Sequence, residues 1–224
     1  MVDYLVRNTY IKALGNIFRQ DKGIIMGGKS SGWLSDCSLM VDEFKYIEGK
    51  IKSGLVDEAR RLKFFSRYRD DCTTINIDDF LTISAKIYPA SLSLTQENVD
   101  LSRANVLDME VFISNGIINT KVYCKTEHFP FDVISLPFLG SNLDNNICYR
   151  VFYGQIIRFQ RLTSDREDFE VGARSLANIL IARGYKENKL KTQFSKAINK
   201  YMFEFYKWDI PSDLQSWFDQ IISG

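Results

Sequence analysis

Residues 62–77 read Leu62-Lys63-Phe64-Phe65-Ser66-Arg67-Tyr68-Arg69-Asp70-Asp71-Cys72-Thr73-Thr74-Ile75-Asn76-Ile77. Aromatic and β-branched residues crowd both ends, the composition of strands, and the Asp70-Asp71 pair between them has the composition of a turn. A hairpin is expected. In a straight strand two consecutive carboxylates point to opposite faces, whereas at a turn both can approach one site. Such a pair suits Mg²⁺, which takes oxygen ligands and is usually held by one or two carboxylates together with substrate phosphates. Taken alone the pair reads as a solvated turn, and a second pair, Asp78-Asp79, stands directly downstream in a helix-capping context.

Outward from the hairpin, Asp78-Asp79 is expected to cap a helix carrying Phe80, Leu81, Ile83, Ser84 and Ile87, stopped by Pro89. Upstream, Trp33, Cys37, Met40, Phe44 and Ile47 recur at spacings of 4, 3, 4 and 3, which predicts a helix with one buried face. A glycine-rich loop leads into it, Gly23-Ile24-Ile25-Met26-Gly27-Gly28-Lys29-Ser30-Ser31-Gly32. Glycine lets backbone approach a nucleotide closely, but the stretch matches neither the G-x-G-x-x-G fingerprint nor a P-loop, so by itself it is a flexible turn. Before it, Tyr10–Leu14 and Ile17–Gln20 flank Gly15-Asn16, a hairpin signal, and Val2, Leu5, Val6 and Tyr10 stand at helix-like spacing. Residues 50–62 are polar and read as helix or loop. Downstream, Val106–Ile113, Asn115-Gly116 and Ile117–Cys124 predict a second hairpin.

From about Cys148 the period becomes helical. Tyr149, Phe152, Ile156 and Phe159 form one stripe. Phe169, Ala173, Leu176 and Leu180 form a second, closed by Gly184, and Leu190, Phe194, Ile198, Tyr201 and Phe205 a third. The expected class is α+β: a mixed region over residues 1–147, then an all-helical region over 148–224.

The chain has 224 residues, enough for a sizeable core, and is 45% hydrophobic and 25% charged, an ordinary globular usage. No apolar run approaches the roughly 18 residues that cross a bilayer. Met1–Arg7 lacks the organisation of a secretory signal, so an intracellular location, nuclear or cytoplasmic, is expected. Cys37, Cys72, Cys124 and Cys148 are dispersed without a C-x-x-C pair, indicating reduced packing thiols rather than a disulfide framework or zinc site. His128 is the only histidine, and no nucleophile arrangement surrounds it, which argues against a Ser-His-Asp or Cys-His hydrolase.

The net charge of +1 conceals an uneven distribution. Residues 149–207 hold 12 Lys/Arg against 6 Asp/Glu, residues 1–148 hold 17 against 19, and residues 208–224 hold none against 3. The helical segment is thus the basic one, with Arg150, Arg158, Arg161, Arg174, Arg183, Lys186, Lys189, Lys191, Lys196 and Lys200 interleaved with aromatics. Cations on stiff elements suit a phosphate backbone, although such charges most often only solvate a helix.

Three stretches in order carry a family likeness. Asn8-Thr9-Tyr10 through Phe18-Arg19-Gln20 to Gly23-Ile24-Ile25-Met26-Gly27 is similar to an "N-x-Y-F … Y-x-Q-x-x-G-I-P-M-G" approach to a template- and nucleotide-contacting loop. Arg67-Tyr68-Arg69-Asp70-Asp71 is similar to an "R-Y-x-D-D" catalytic hairpin. Val106-Leu107-Asp108 through Gly116, Thr120-Lys121-Val122-Tyr123 and Phe129-Pro130-Phe131 to Ser141-Asn142 and the helix at Tyr149–Gln160 is similar to an "F-L-D … T-K-L-Y … F-P-F … S-N" stretch and the thumb behind it. Over roughly residues 5–205 the chain resembles the palm and thumb of reverse transcriptases, most closely the Penelope-like and related retroelement polymerases of eukaryotes.

The resemblance implies template-directed nucleotidyl transfer with Mg²⁺ (or Mn²⁺) as cofactor and an RNA template, a DNA primer and deoxynucleoside triphosphates as partners. Asp70 would be the principal metal ligand and Asp71 a secondary one. Tyr68 would support the hairpin, and Gln20, Gly23, Met26 and Gly27 would lie against nucleotide and template. Lys121 and Tyr123 would sit near the primer, with Arg183, Lys196 and Lys200 among the basic residues gripping the duplex. Three departures accompany it. The family's further metal-binding aspartate lies upstream of the Asn-x-Tyr stretch, and Asp3 is in the wrong context to replace it. Gly32 stands where a proline is expected. Arg69 places a cation beside the carboxylates. The implied fragment is therefore expected to be inactive without an N-terminal polymerase portion. The alternatives are a non-catalytic nucleic-acid-binding or scaffolding protein derived from such an enzyme, and an interaction module without a nucleic-acid role.

Overall fold

The computed structural model describes residues 8–21, 23–98, 100, 102–125, 129–131, 133–201 and 207–224. The readings made on Val2, Asp3, Leu5, Val6, His128 and Phe205 lie outside them. The described chain is mixed α and β, with seven helices and small antiparallel sheets, and divides into two compact units between Gln96 and Glu97. The boundary read from the sequence at 147/148 falls in the first turn of the helix Asn145–Leu162.

The first unit opens with β1 (Tyr10–Ala13) and β2 (Asn16–Arg19), paired antiparallel from Tyr10↔Arg19 to Ala13↔Asn16. Its turn is Leu14–Gly15, one residue earlier than the glycine-asparagine signal suggests, with φ of 50° and 80°. Both strands are exposed along their length. The glycine-rich loop then enters α1 (Ser31–Lys52), followed by α2 (Val56–Arg61) and a 3-10 turn at Leu62–Phe64. Next come β3 (Phe65–Tyr68), β4 (Asp71–Thr74) and α3 (Phe80–Ile87). The pair β3–β4 is the expected hairpin, in register Phe65↔Thr74 and Tyr68↔Asp71. Asp79 occupies the N-cap of α3, but its side chain pairs with Arg61 (2.5 Å) and does not cap the helix amides.

α1 forms where its period predicts, but its apolar stripe is not buried. Trp33 is 64% and Phe44 62% exposed, and no residue of the helix is fully buried. The inward face carries Asp36, Glu43 and Tyr46, with Ile47 of the stripe half-buried beside them. The reason lies across the unit: Arg67 on β3 takes Asp36 and Glu43 as partners, and a pair seven residues apart shares one helix face. The small apolar core beside this contact is Leu62, Ile77 and Phe80, with Tyr46, Ile47, Phe65, Cys72, Ile83 and Leu94 packed on it. Phe65 stacks on Phe80 at 4.9 Å.

The second unit begins with a three-stranded meander: β5 (Arg103–Val106), β6 (Met109–Ser114) and β7 (Ile117–Val122). The expected Asn115-Gly116 turn is present, with φ of 53° and 74°. The stretch expected as one strand over Val106–Ile113 is broken by a further turn at Leu107-Asp108, which produces β5. Four helices follow, α4 (Asn145–Leu162), α5 (Arg166–Ala182), α6 (Glu187–Lys200) and α7 (Leu214–Ser223). The side chains of Asp144, Asp165 and Asp213 cap α4, α5 and α7, each accepting from a backbone N–H of the first turn.

The first two predicted stripes are buried, Tyr149, Phe152, Ile156 and Phe159 on α4 and Phe169, Ala173, Leu176 and Leu180 on α5; of the third, Leu190, Phe194 and Ile198 on α6 are buried, while Tyr201, just past the helix, is half-buried. The C-terminal segment, which by charge alone resembles an acidic tail, supplies Trp217, Phe218 and Ile221 to the same core. Trp217 packs edge-on against Phe194 at 5.3 Å and donates its indole N–H to Glu170 (2.6 Å). The meander is tied to the helices through Thr120 and Ser164, whose backbone and hydroxyl groups exchange bonds of 2.7–2.9 Å.

Replacing Trp217 by Ala removes a fully buried aromatic and one of the donors to Glu170, which keeps its ion pair with Arg166. The second unit should lose about 3–5 kcal/mol. Guanidinium unfolding followed by near-ultraviolet circular dichroism measures it.

Candidate functional site

The turn between β3 and β4 consists of Arg69 and Asp70, with Asp71 opening β4 opposite Tyr68. Both carboxylates and Tyr68 are exposed. Among the described residues neither Asp70 nor Asp71 pairs with a cation. Arg69 adopts φ of 57°, unusual for a residue with a β-carbon. Its guanidinium lies over the Tyr68 ring (5.7 Å) and against the start of α1, where a β-carbon on Gly32 would stand 3.5 Å from Arg69 Nη2. That is an ordinary van der Waals separation, so the turn lies beside the start of α1 without requiring glycine at position 32.

What holds this turn is the network around Arg67, which the sequence reading did not single out. The guanidinium side chain is only 8% exposed. Its Nε donates to Glu43 Oε1 (2.5 Å), its Nη1 to Asp36 Oδ1 (3.1 Å) and to the carbonyl of Arg69 (3.1 Å), and its Nη2 to the carbonyl of Asp36 (3.2 Å). Glu43 Oε1 also accepts from the Tyr88 hydroxyl (2.8 Å). The hydrogen bond to Glu43 holds Arg67 above its ordinary pKa. Burial raises the Cys72 thiol, so this cysteine is an inert neighbour and no nucleophile.

The donor set can be tested against a divalent cation. Two exposed, unpaired carboxylates on one tight turn fit a Mg²⁺ ion that completes its shell with water and phosphate oxygens. They do not make a site closed by protein alone. Among the described residues no group of three or more His, Cys, Asp or Glu side chains could hold a metal. Asp36 and Glu43 are already engaged by Arg67.

In the loop, Gly23 and Gly27 take φ of 80° and 83°, conformations that favour glycine. Met26 between them is 98% exposed. The backbone N–H of Gln20 closes on the Thr9 carbonyl (2.9 Å), so the first hairpin and the loop start as one piece.

In the second unit part of the basic surplus is bonded inside the fold. Arg158 pairs with Asp108 (3.0 Å) and Lys191 with Asp219 (2.5 Å). Four further cations donate to backbone carbonyls: Arg166 to Asp209 (2.6 Å), Arg174 to Ile221 (2.5 Å), Arg183 to Leu136 (2.5 Å), and Lys207 to Gln160 and Thr163 (2.7 and 2.5 Å). Lys207 and Arg174 thereby satisfy the unpaired carbonyls that end α4 and α7. Lys189, Lys196 and Lys200 remain exposed on α6. Spaced seven and four apart, they share a face, and among the described residues none makes an ion pair. On the meander Lys121 pairs with Glu110 (3.4 Å) and lies over Phe112 (5.5 Å). Tyr123 follows β7, its N–H bonded to the Asp108 carbonyl (2.9 Å).

Burial, and then the hydrogen bond to Glu43, push the Tyr88 hydroxyl far above its ordinary value of 10. The unfolded chain loses this proton near pH 10 while the folded chain keeps it. The unfolded state thus binds fewer protons there, and stability should fall as pH rises above about 10. Tyr88→Phe should flatten that alkaline decline while costing about 2 kcal/mol at neutral pH, the worth of a hydrogen bond to a charged group. Thermal midpoints between pH 8 and 11 give both quantities.

Comparison of the chain with protein families, with curated proteins and with solved structures finds no match.

Proposed function

We propose that the chain is a palm-and-thumb portion of a reverse transcriptase that takes part in template-directed nucleotidyl transfer and is inactive by itself. The observation that carries this reading is the hairpin Phe65–Thr74, with Asp70 at its turn and Asp71 beside it, both unpaired and exposed. A carboxylate pair of this kind would hold Mg²⁺ or Mn²⁺, and such an ion, once bound, lowers the pKa of a primer 3′-hydroxyl and offsets charge on the transferring phosphoryl group. Asp70 and Asp71 supply oxygen ligands. Tyr68, paired across the hairpin with Asp71, offers an aromatic face beside them. The glycine loop at 23–27 presents backbone on which a nucleotide and template can lie. Two carboxylates are fewer than a two-metal centre needs, hence the dependence on a further polymerase portion that brings another.

The duplex grip falls to α6. Lys196 and Lys200 are the proposed phosphate contacts, because Arg183 is engaged by the Leu136 carbonyl and Lys121 by Glu110. A second reading, retention of the fold for nucleic-acid binding without catalysis, draws on the same lysine face.

Primer extension with deoxynucleoside triphosphates and Mg²⁺ or Mn²⁺ separates the two. No product is expected from the chain alone, and extension is expected once an upstream polymerase portion carrying a metal-binding aspartate is supplied in trans. Asp70→Ala should abolish that extension, and activity surviving it would sink the polymerase reading. A lasting failure to extend, with binding intact, would favour the second reading.

Binding of a primer–template duplex should weaken with salt. Charge reversal at Lys196 and Lys200 together should flatten the slope of log affinity against log salt by about 2, one phosphate contact per lysine. A fluorescence-anisotropy series from 50 to 200 mM salt reads the slope, and an unchanged slope would remove α6 from the interface.

A further inference from the structure

Arg67 neighbours the Asp70-Asp71 turn in sequence, and its guanidinium is almost withdrawn from water between that turn and α1. A desolvated guanidinium is costly unless its donors are all placed, and here they reach acceptors on two elements at once. Glu43 and Asp36 lie on α1, 24 and 31 residues from Arg67, whereas the Arg69 carbonyl belongs to the turn itself. That carbonyl and the N–H of Asp70 form one peptide plane. Fixing the carbonyl therefore fixes the orientation in which the chain enters Asp70. The conformation so held is one that L residues avoid, with Arg69 at φ of 57°, and it needs an external restraint to persist.

The same fork has a second consequence. Asp36 and Glu43 have their charge taken up by Arg67, which leaves Asp70 and Asp71 as the unpaired carboxylates of this hairpin. We infer that Arg67 is a positioning residue: it anchors the turn to α1 so that Asp70 and Asp71 are presented as a preorganised cation-binding pair. The inference rests on the metal-binding reading of that pair. Lysine cannot take over the role. Its compact ammonium carries no planar fork and cannot span Glu43, Asp36 and the Arg69 carbonyl together. Tyr88 serves as a contrast, since it contacts Glu43 without touching the turn.

The test uses the whole chain and Mn²⁺ alone, read by paramagnetic broadening of backbone amide signals at residues 69–71. Wild-type protein is expected to show broadening centred on these residues, lost in Asp70→Asn. Absence of Asp70-dependent broadening would overturn the metal reading and the positioning role with it. Where the metal reading stands, Arg67→Lys should need about tenfold more Mn²⁺ for half-broadening, the range found for groups that orient a metal ligand. It should also shift the metal-free amide signal of Asp70. Tyr88→Phe should lower thermal stability yet leave the Mn²⁺ midpoint within twofold. A folded Arg67→Lys protein with an unchanged midpoint overturns the positioning role alone. If Arg67→Lys does not fold, Glu43→Gln loosens the same fork and should raise the midpoint about threefold, with no change counting against the proposal.

Discussion

The first unit is organised around one buried guanidinium. Its apolar core is small, with Leu62, Ile77 and Phe80 as its buried members, and its β1–β2 hairpin is exposed along both strands. The bond set of Arg67 joins α1 to the hairpin and, through Glu43, to Tyr88 beyond α3. Removing either carboxylate leaves a desolvated charge, so the arrangement is intolerant of partial loss. Because α1 must offer Asp36 and Glu43 to Arg67, it cannot turn Trp33, Met40 and Phe44 inward as well. A charge contact has overridden an apolar stripe, and the stripe is left at the surface.

The second unit uses its cations in a different way. Helix ends leave carbonyls unpaired, and a bundle brings the end of one helix close to long side chains of another. Arg174 and Lys207 meet that need at α7 and α4, while Arg166 and Arg183 bond carbonyls of connecting segments. A surplus of positive charge over 149–207 therefore describes internal bonding as much as an electrostatic surface. The exposed cations include Arg150, Arg161 and Lys186 as well as an ordered set, Lys189, Lys196 and Lys200, on one face of α6. The three aspartates of the last segment are equally structural in their surroundings: the Asp209 carbonyl accepts from Arg166, Asp213 caps α7 and Asp219 pairs with Lys191.

Where burial alone sets the pattern, the elements were legible. The stripes on α4, α5 and α6 are buried as their 3.6-residue period indicates, and Asn115-Gly116 makes its turn because both residues accept positive φ. The turn at Leu107-Asp108 was not legible, since a leucine at φ of 56° carries no turn signature. The Asp70-Asp71 pair and its hairpin could be read from residue types in a short window. The residues that hold them could not, because Asp36, Glu43 and Tyr88 lie 21 to 31 positions from Arg67 and no local period links them.

By itself the sequence determined most of the helices, the β3–β4 hairpin with its two carboxylates at the turn, and the Asn115-Gly116 hairpin, because these follow from backbone preference and short-range spacing. Only the tertiary structure decided which face of α1 is covered, which cations are left for a partner, and what restrains the turn. Those outcomes depend on charges and carbonyls that distant parts of the chain bring within 2.5–3.2 Å of one another. Desolvation makes such contacts all-or-none, and nothing in the local sequence encodes which partner arrives.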